Sequence, residues 1–87
     1  MNMFKEPNPQ DHEFSIRKVN DYGTQYWYLN DKLHRENDLP AIITYDGAQH
    51  WYLNGVLHRE NDLPAIIRSN GAQYWWLNNK LIRSENV

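Results

Sequence analysis

Two short stretches hold the residues best suited to chemistry: His34-x-Glu36-x-Asp38 and His58-x-Glu60-x-Asp62. In an extended chain alternate side chains project to one side, so either stretch would aim an imidazole and two carboxylates together, a donor set that a divalent cation accepts. The surrounding residues favour a structural role. Each stretch runs into a proline, Pro40 or Pro64, and polar residues before a proline belong to turns. There Asp38 and Asp62 would bond to the backbone, while Arg35 and Arg59 would pair with carboxylates of the same or the neighbouring segment. No metal is expected, and direct contact with a partner is the lesser alternative.

Nucleophilic catalysis finds little to work with. Cysteine is absent, and the serines, Ser15, Ser69 and Ser84, lie outside the motif that dominates the chain. Neither a Gly-rich phosphate loop nor a His-Glu-x-x-His or Gly-x-Ser-x-Gly arrangement is present. The chain reads as no enzyme, with no cofactor.

The motif is a tandem repeat. Gly23, Gly47 and Gly71 are spaced by 24 residues, and so are Trp27, Trp51 and Trp75. The linker Leu39-Pro40-Ala41-Ile42-Ile43 recurs unchanged as Leu63-Pro64-Ala65-Ile66-Ile67. The expected fold class is all-β, an antiparallel meander of three hairpin repeats in a single twisted sheet or a small stack. Within the central copy, strands are predicted over Ala41 to Tyr45, Ala48 to Leu53 and Val56 to Arg59. Asn54-Gly55 should form a two-residue turn, because both positions accept positive φ, and Asp46-Gly47 and Asn70-Gly71 should form turns of the same type. Glu60 to Pro64 reads as a loop. One domain fills residues 1–87: an arm over 1–13, copies over 14–38 and 39–62, and a third over 63–87 that caps the stack. Ile82 in place of His58, and Ser84 in place of Glu60, suit a terminal copy that must meet water.

Strand periodicity assigns the faces. Gln49, Trp51 and Leu53 share one side and His50 and Tyr52 the other. By repetition Trp27, Trp51 and Trp75 form one row with Leu29, Leu53 and Leu77 beside it. The opposite side carries Tyr26 and Tyr28, His50 and Tyr52, Tyr74 and Trp76. An exposed single-layer sheet normally has one polar face, so this second aromatic row must be covered or used. The N-terminal residues Phe4, Phe14 and Ile16 are candidates to cover it. Tyr28, Tyr52 and Trp76, with His50, Tyr26 and Tyr74, are the candidate partner-binding residues, since Tyr and Trp join apolar area to a hydrogen-bonding tip.

Charge narrows the partner class. Nine Lys and Arg stand against eleven Asp and Glu, for a formal charge of −2, and no basic stripe is present, so nucleic acid is a poor default partner. The beginning of the chain lacks the apolar run of a signal peptide, and no stretch approaches the roughly 18 apolar residues of a membrane span. A soluble protein of the cytoplasm is expected.

Units of the form Gly-x-x-x-Trp-Tyr-x-Asn-Gly-x-x-His-Arg, as in Gly47 to Arg59, resemble the MORN-type β-hairpin repeats, and more narrowly the divergent MORN-like variants of phages and giant viruses. The resemblance covers about Gly23 to Arg83. It departs where the family has His-Gly-x-Gly and this chain has His58-Arg59-Glu60-Asn61, so the lipid-binding role proposed for some family members is not implied. It implies hairpins used for protein contact. The leading expectation is a non-enzymatic protein-binding module, a phage-encoded inhibitor that occludes a host protein such as a bacterial defence (CRISPR) component. The alternatives are a lectin-like glycan binder, with Asn30, Asn54 and Asn78 beside the aromatic rings, and a structural homo-oligomer joined through the aromatic face or an edge strand.

Overall fold

The computed structural model describes residues 15–86. They form ten short strands and no helix: β1 (Ile16–Val19), β2 (Gln25–Leu29), β3 (Lys32–Leu33), β4 (Ile42–Ile43), β5 (Gln49–His50), β6 (Tyr52–Leu53), β7 (Val56–Leu57), β8 (Ile66–Ile67), β9 (Gln73–Leu77) and β10 (Lys80–Glu85). All pairings are antiparallel. The all-β expectation is met.

Turn chemistry creates these strands. Asn30-Asp31, Asn54-Gly55 and Asn78-Asn79 each place two successive residues at positive φ, between 50° and 81°. This is the type I′ geometry whose twist matches that of the flanking strands. Asn and Asp reach it at modest cost through their short polar side chains. The expectation for Asp46-Gly47 and Asn70-Gly71 is corrected. Only Gly47 and Gly71 have positive φ there, at 94° and 93°, and Gly47 N–H bonds to Thr44 O while Thr44 N–H bonds to Ala48 O, both at 2.9 Å. The link is a three-residue loop with glycine in the left-handed position, a bulged hairpin rather than a two-residue one. In the predicted loops, Asn37-Asp38 and Asn61-Asp62 form another left-handed pair, φ 57° to 66°.

The predicted strand Ala48 to Leu53 is divided at Trp51. Its first half, β5, pairs with β4 and β8, and its second half, β6, pairs only with β7. Between them Trp51 N–H bonds to Ala65 O at 2.8 Å. One strand thus serves two ladders, and the change of partners falls at Trp51. The flanking strands are likewise shorter than expected, Ile42–Ile43 and Val56–Leu57. Ala41 and Ala65 are fully buried; Ala65 packs in the Trp51 cluster, where a larger side chain would crowd the indole ring.

The main sheet has the order β1-β2-β4-β5-β8-β9-β10, with β3 attached to β2, and β6-β7 forms a second small ladder. The described residues span 51 × 31 × 17 Å, thin enough for one bent layer rather than two stacked sheets. Trp51, Leu57 and Ala65 make the core, with Tyr52, Ile66, Ile67 and Trp76 packed on it. Of the leucines placed beside the tryptophan row, Leu77 is exposed. Ile16 stands opposite Tyr28 at the edge of the sheet but remains 65% exposed, and Phe4 and Phe14 lie outside the described residues.

The two edges are built from different side chains than the interior. Across the sheet one row runs Lys18, Tyr26, Ile42, His50, Ile66, Tyr74, Ser84. On the other side runs Val19, Gln25, Ile43, Gln49, Ile67, Gln73, Glu85. Isoleucines fill the interior strands, while Lys18, Ser84 and Glu85 stand at edge positions where water reaches them.

Candidate partner-binding face

The six predicted contact residues fall into two groups. Tyr26, His50 and Tyr74 lie in one transverse row, separated by Ile42 and Ile66. Tyr28, Tyr52 and Trp76 stand two residues further along their strands, opposite Leu33, Leu57 and Leu81. All six are half-buried. Tyr52 and Trp76 also pack on the Trp51 cluster, so this pair is part of the scaffold. Tyr26 and Tyr28 stack with ring centroids 6.3 Å apart, and Lys18 Nζ sits 5.4 Å over the Tyr28 ring. The Tyr74 hydroxyl reaches Asn86 Oδ1 at 3.3 Å, and Trp76 Nε1 meets no acceptor among the described residues.

His50 is the titratable member of the row. Burial first, and the Arg68 guanidinium second, hold its imidazole below the usual range. The unfolded chain, with histidine near 6.5, therefore binds a proton before the folded chain does, and folding stability falls as pH drops below that value. Asp38 acts in the same sense lower on the scale. A hydrogen bond from Arg59 holds its carboxyl below the ordinary range, aided by the Arg59 charge and opposed by partial burial. The stability it contributes is present above the ordinary carboxylate range and is lost as pH falls through its folded value. Thermal melts should show a lower Tm at pH 5 than at pH 7, with a smaller difference in His50→Gln. A Tm unchanged or raised by acid would contradict this assignment.

The indole row belongs to a different network. Arg35, Arg59 and Arg83 lie over Trp27, Trp51 and Trp75, with guanidinium carbons 3.7, 3.7 and 3.9 Å from the ring centroids. Arg35 donates to Pro40 O at 3.2 Å and Arg59 to Pro64 O at 3.0 Å. Trp51 Nε1 donates to Asp38 O, and Trp75 Nε1 to Asp62 O, each at 3.0 Å. Arg59 grips the Asp38 carboxylate with two nitrogens, at 2.9 and 3.2 Å, and Arg83 approaches Asp62 at 4.0 Å. For Arg59, pairing with a carboxylate of the neighbouring segment is as expected. The expectation that the Asp38 and Asp62 side chains bond the backbone is corrected: their carboxylates face arginines, and their carbonyls accept the indoles.

Both histidines of the His-x-Glu-x-Asp stretches are engaged inside the scaffold. Asn54 N–H donates to His34 Nδ1 at 2.8 Å, and Asn78 N–H to His58 Nδ1 at 2.9 Å. The proton then resides on Nε2, which donates to Glu36 or Glu60 at 2.5 Å. Each imidazole bridges one hairpin to the next. Among the described residues no three His, Asp or Glu side chains converge as metal ligands. The sequence reading missed this role, and its signal was available: a histidine 20 residues before the second and the third Asn turn, and Ile82 in the corresponding last position.

A groove of about 250 Å³ opens between the two Glu-Asn-Asp loops, lined by Trp51, Tyr52, Arg59, Glu36 and Glu60. No helix among the described residues is long and apolar enough to cross a membrane.

No protein-family model matches the chain, and no solved structure matches it. A 40-residue segment, 46% of this chain, is 48% identical to an uncharacterized protein of Acanthamoeba polyphaga mimivirus. That segment spans 10% of the mimivirus protein, so what the whole viral protein does is a separate question. The chain is thus similar, over nearly half its length, to part of a giant-virus protein.

Proposed function

We propose that the chain is a non-catalytic protein-binding module that uses its Tyr26, His50 and Tyr74 row to cover a surface of a host protein in a viral setting. The carrying observation is that this row of rings, interleaved with Ile42 and Ile66, is half-buried in a molecule whose described part is one layer thick. Such rings supply the contact energy typical of hot spots, and the strands beneath hold them rigid. The hairpin units resemble MORN-like repeats, which favours protein contact. The viral relative favours a host protein as target; it comes from a virus of an amoeba, so a bacterial defence component gains no particular support. The engagement of His34 and His58 in backbone bonds favours a scaffold over a reaction centre.

A host protein captured by the wild-type chain should bind at least about tenfold more weakly to Tyr26→Ala or Tyr74→Ala, a loss of about 1.4 kcal/mol or more. Equal binding by both variants would refute the assigned face. The groove, with Trp51 and Tyr52 beside polar Asn37 and Asn61, favours a glycan as the rival ligand. Sugar binding on a glycan array that Tyr52→Ala abolishes, without any protein complex, would replace the protein reading.

A further inference from the structure

In the interior of the fold, the outer edge of each short strand after an Asn turn is taken by the following turn. Gly55 N–H bonds to Leu33 O at 2.7 Å. Asn79 N–H bonds to Leu57 O at 2.9 Å, and Leu57 N–H bonds to Asn79 Oδ1 at 2.8 Å. Leu81 occupies the equivalent place in β10, which is an edge of the sheet among the described residues. Continuing the stack head to tail is blocked, because β10 runs on past Leu81. Its Arg83, Ser84 and Glu85 lie opposite Trp75, Tyr74 and Gln73, the side of β9 on which a further Ala-Ile-Ile strand would have to pair. Among the described residues, an edge with apolar Leu81 and Ile82, 48% and 56% exposed, therefore stands open to a partner strand.

We propose that this partner is β10 of a second copy of the chain, paired antiparallel across a two-fold axis between Ile82 and Arg83. The charges favour this strand and register. In this alignment Lys80 faces Glu85 of the second copy, twice by symmetry, and Leu81 faces Ser84. A pairing centred on Ser84 would set Arg83 against Glu85, but Arg83 is already held over the Trp75 ring and beside Glu85 of its own chain. Shifting the register to place Arg83 opposite Arg83, or Lys80 opposite Arg83, would oppose like charges, which destabilises a ladder. The other edge, β1, has no bulge, so a two-fold pairing centred on it would set Arg17 against Arg17 or Lys18 against Lys18, and that edge is thereby protected. The β-bulge between Leu81 and Arg83 is what makes the faces agree. Lys80 and Glu85 stand opposite Leu77 and Gln73, on one face, while Leu81 and Ser84 stand opposite Trp76 and Tyr74, on the other. Without the extra residue, positions five apart would point to opposite sides. The assembly would join two sheets edge to edge with their aromatic faces on the same side.

Sedimentation of the full 87-residue chain tests the pairing. The wild-type chain should reach a dimer with rising concentration. Lys80→Glu and Glu85→Lys should each weaken it by about tenfold or more, and the double swap should restore it to within about threefold. These residues are exposed, and circular dichroism checks that each variant remains folded. Because the chain has no cysteine, an oxidised mixture of Leu81→Cys and Ser84→Cys chains should give a cross-linked pair that neither variant gives alone. A chain monomeric at its highest soluble concentration would overturn the proposal. So would a dimer indifferent to both charge reversals, or one broken instead by Tyr74→Ala.

Discussion

Replacing Trp51 by alanine is expected to lower the stability of the fold by about 3–5 kcal/mol, the cost of truncating a large aromatic residue in a packed core. Trp51 is 6% exposed and is the largest member of the core cluster. The loss goes beyond its area. Without the indole, Asp38 O loses its donor and Arg59 its ring, so the loop that Arg59 ties to Asp38 and Pro64 is released. Small domains are stable by only about 5–15 kcal/mol in total, so the variant should lose most of its cooperative urea transition or unfold in buffer. Trp51→Phe separates the contributions, because it keeps an aromatic ring and removes the N–H bond. Its cost should be smaller, and near-ultraviolet spectra should still report a packed core. Trp27→Ala should also cost less than Trp51→Ala, since Trp27 is only half-buried. A change under about 1 kcal/mol for Trp51→Ala, within the range of ordinary surface substitutions and somewhat beyond, would mean that the indole row is not what holds the sheet together.

The indole row was legible because it follows from two short-range rules. A constant offset of 24 residues puts like residues in like places, and strand alternation assigns them to a side. The Asn-Gly turn was legible for the same kind of reason, since two successive left-handed residues are a property of the dipeptide itself. Features that depend on packing were not. Nothing in the run Ala48 to Leu53 announces that it divides at Trp51; the division arises because its two halves meet different strands. Asp46-Gly47 looked like Asn54-Gly55, but the Thr44 hydroxyl is hydrogen-bonded to Asp46 and accepts from Ala48 N–H, and this favours the longer bulged loop. The arginines lie eight residues after their tryptophans in every case, a spacing visible in the sequence whose meaning appears only when the hairpin folds one over the other. On the candidate face, the row Tyr26, His50 and Tyr74 could be placed by alternation. That Tyr52 and Trp76 would instead lean on the core could not, because it depends on which side chains the folded hairpins bring against the Trp51 cluster.

The histidines supply the second large expected effect: His34→Ile should destabilise the fold by about 1–3 kcal/mol, chiefly because it strands the backbone N–H of Asn54. His34 is 4% exposed, so water cannot readily replace its Nδ1 as the acceptor. Isoleucine is the instructive substitute because the chain already uses it. At the third equivalent position stands Ile82, in a strand that continues as an edge and has no Asn-turn N–H bonded to it among the described residues. An imidazole is thus present where the next hairpin must be received and absent where the strand runs free. His58→Ile should have a similar but smaller effect, since the His58 side chain is 11% exposed against 6% for His34. Amide hydrogen exchange gives the local reading, for in His34→Ile the Asn54 amide should exchange faster than its neighbours, beyond the general loss of stability. If the variant instead melts as the wild type does and the Asn54 amide stays protected, the bridging of successive hairpins must rest on the backbone bonds alone, Gly55 N–H to Leu33 O and Arg35 N–H to Tyr52 O.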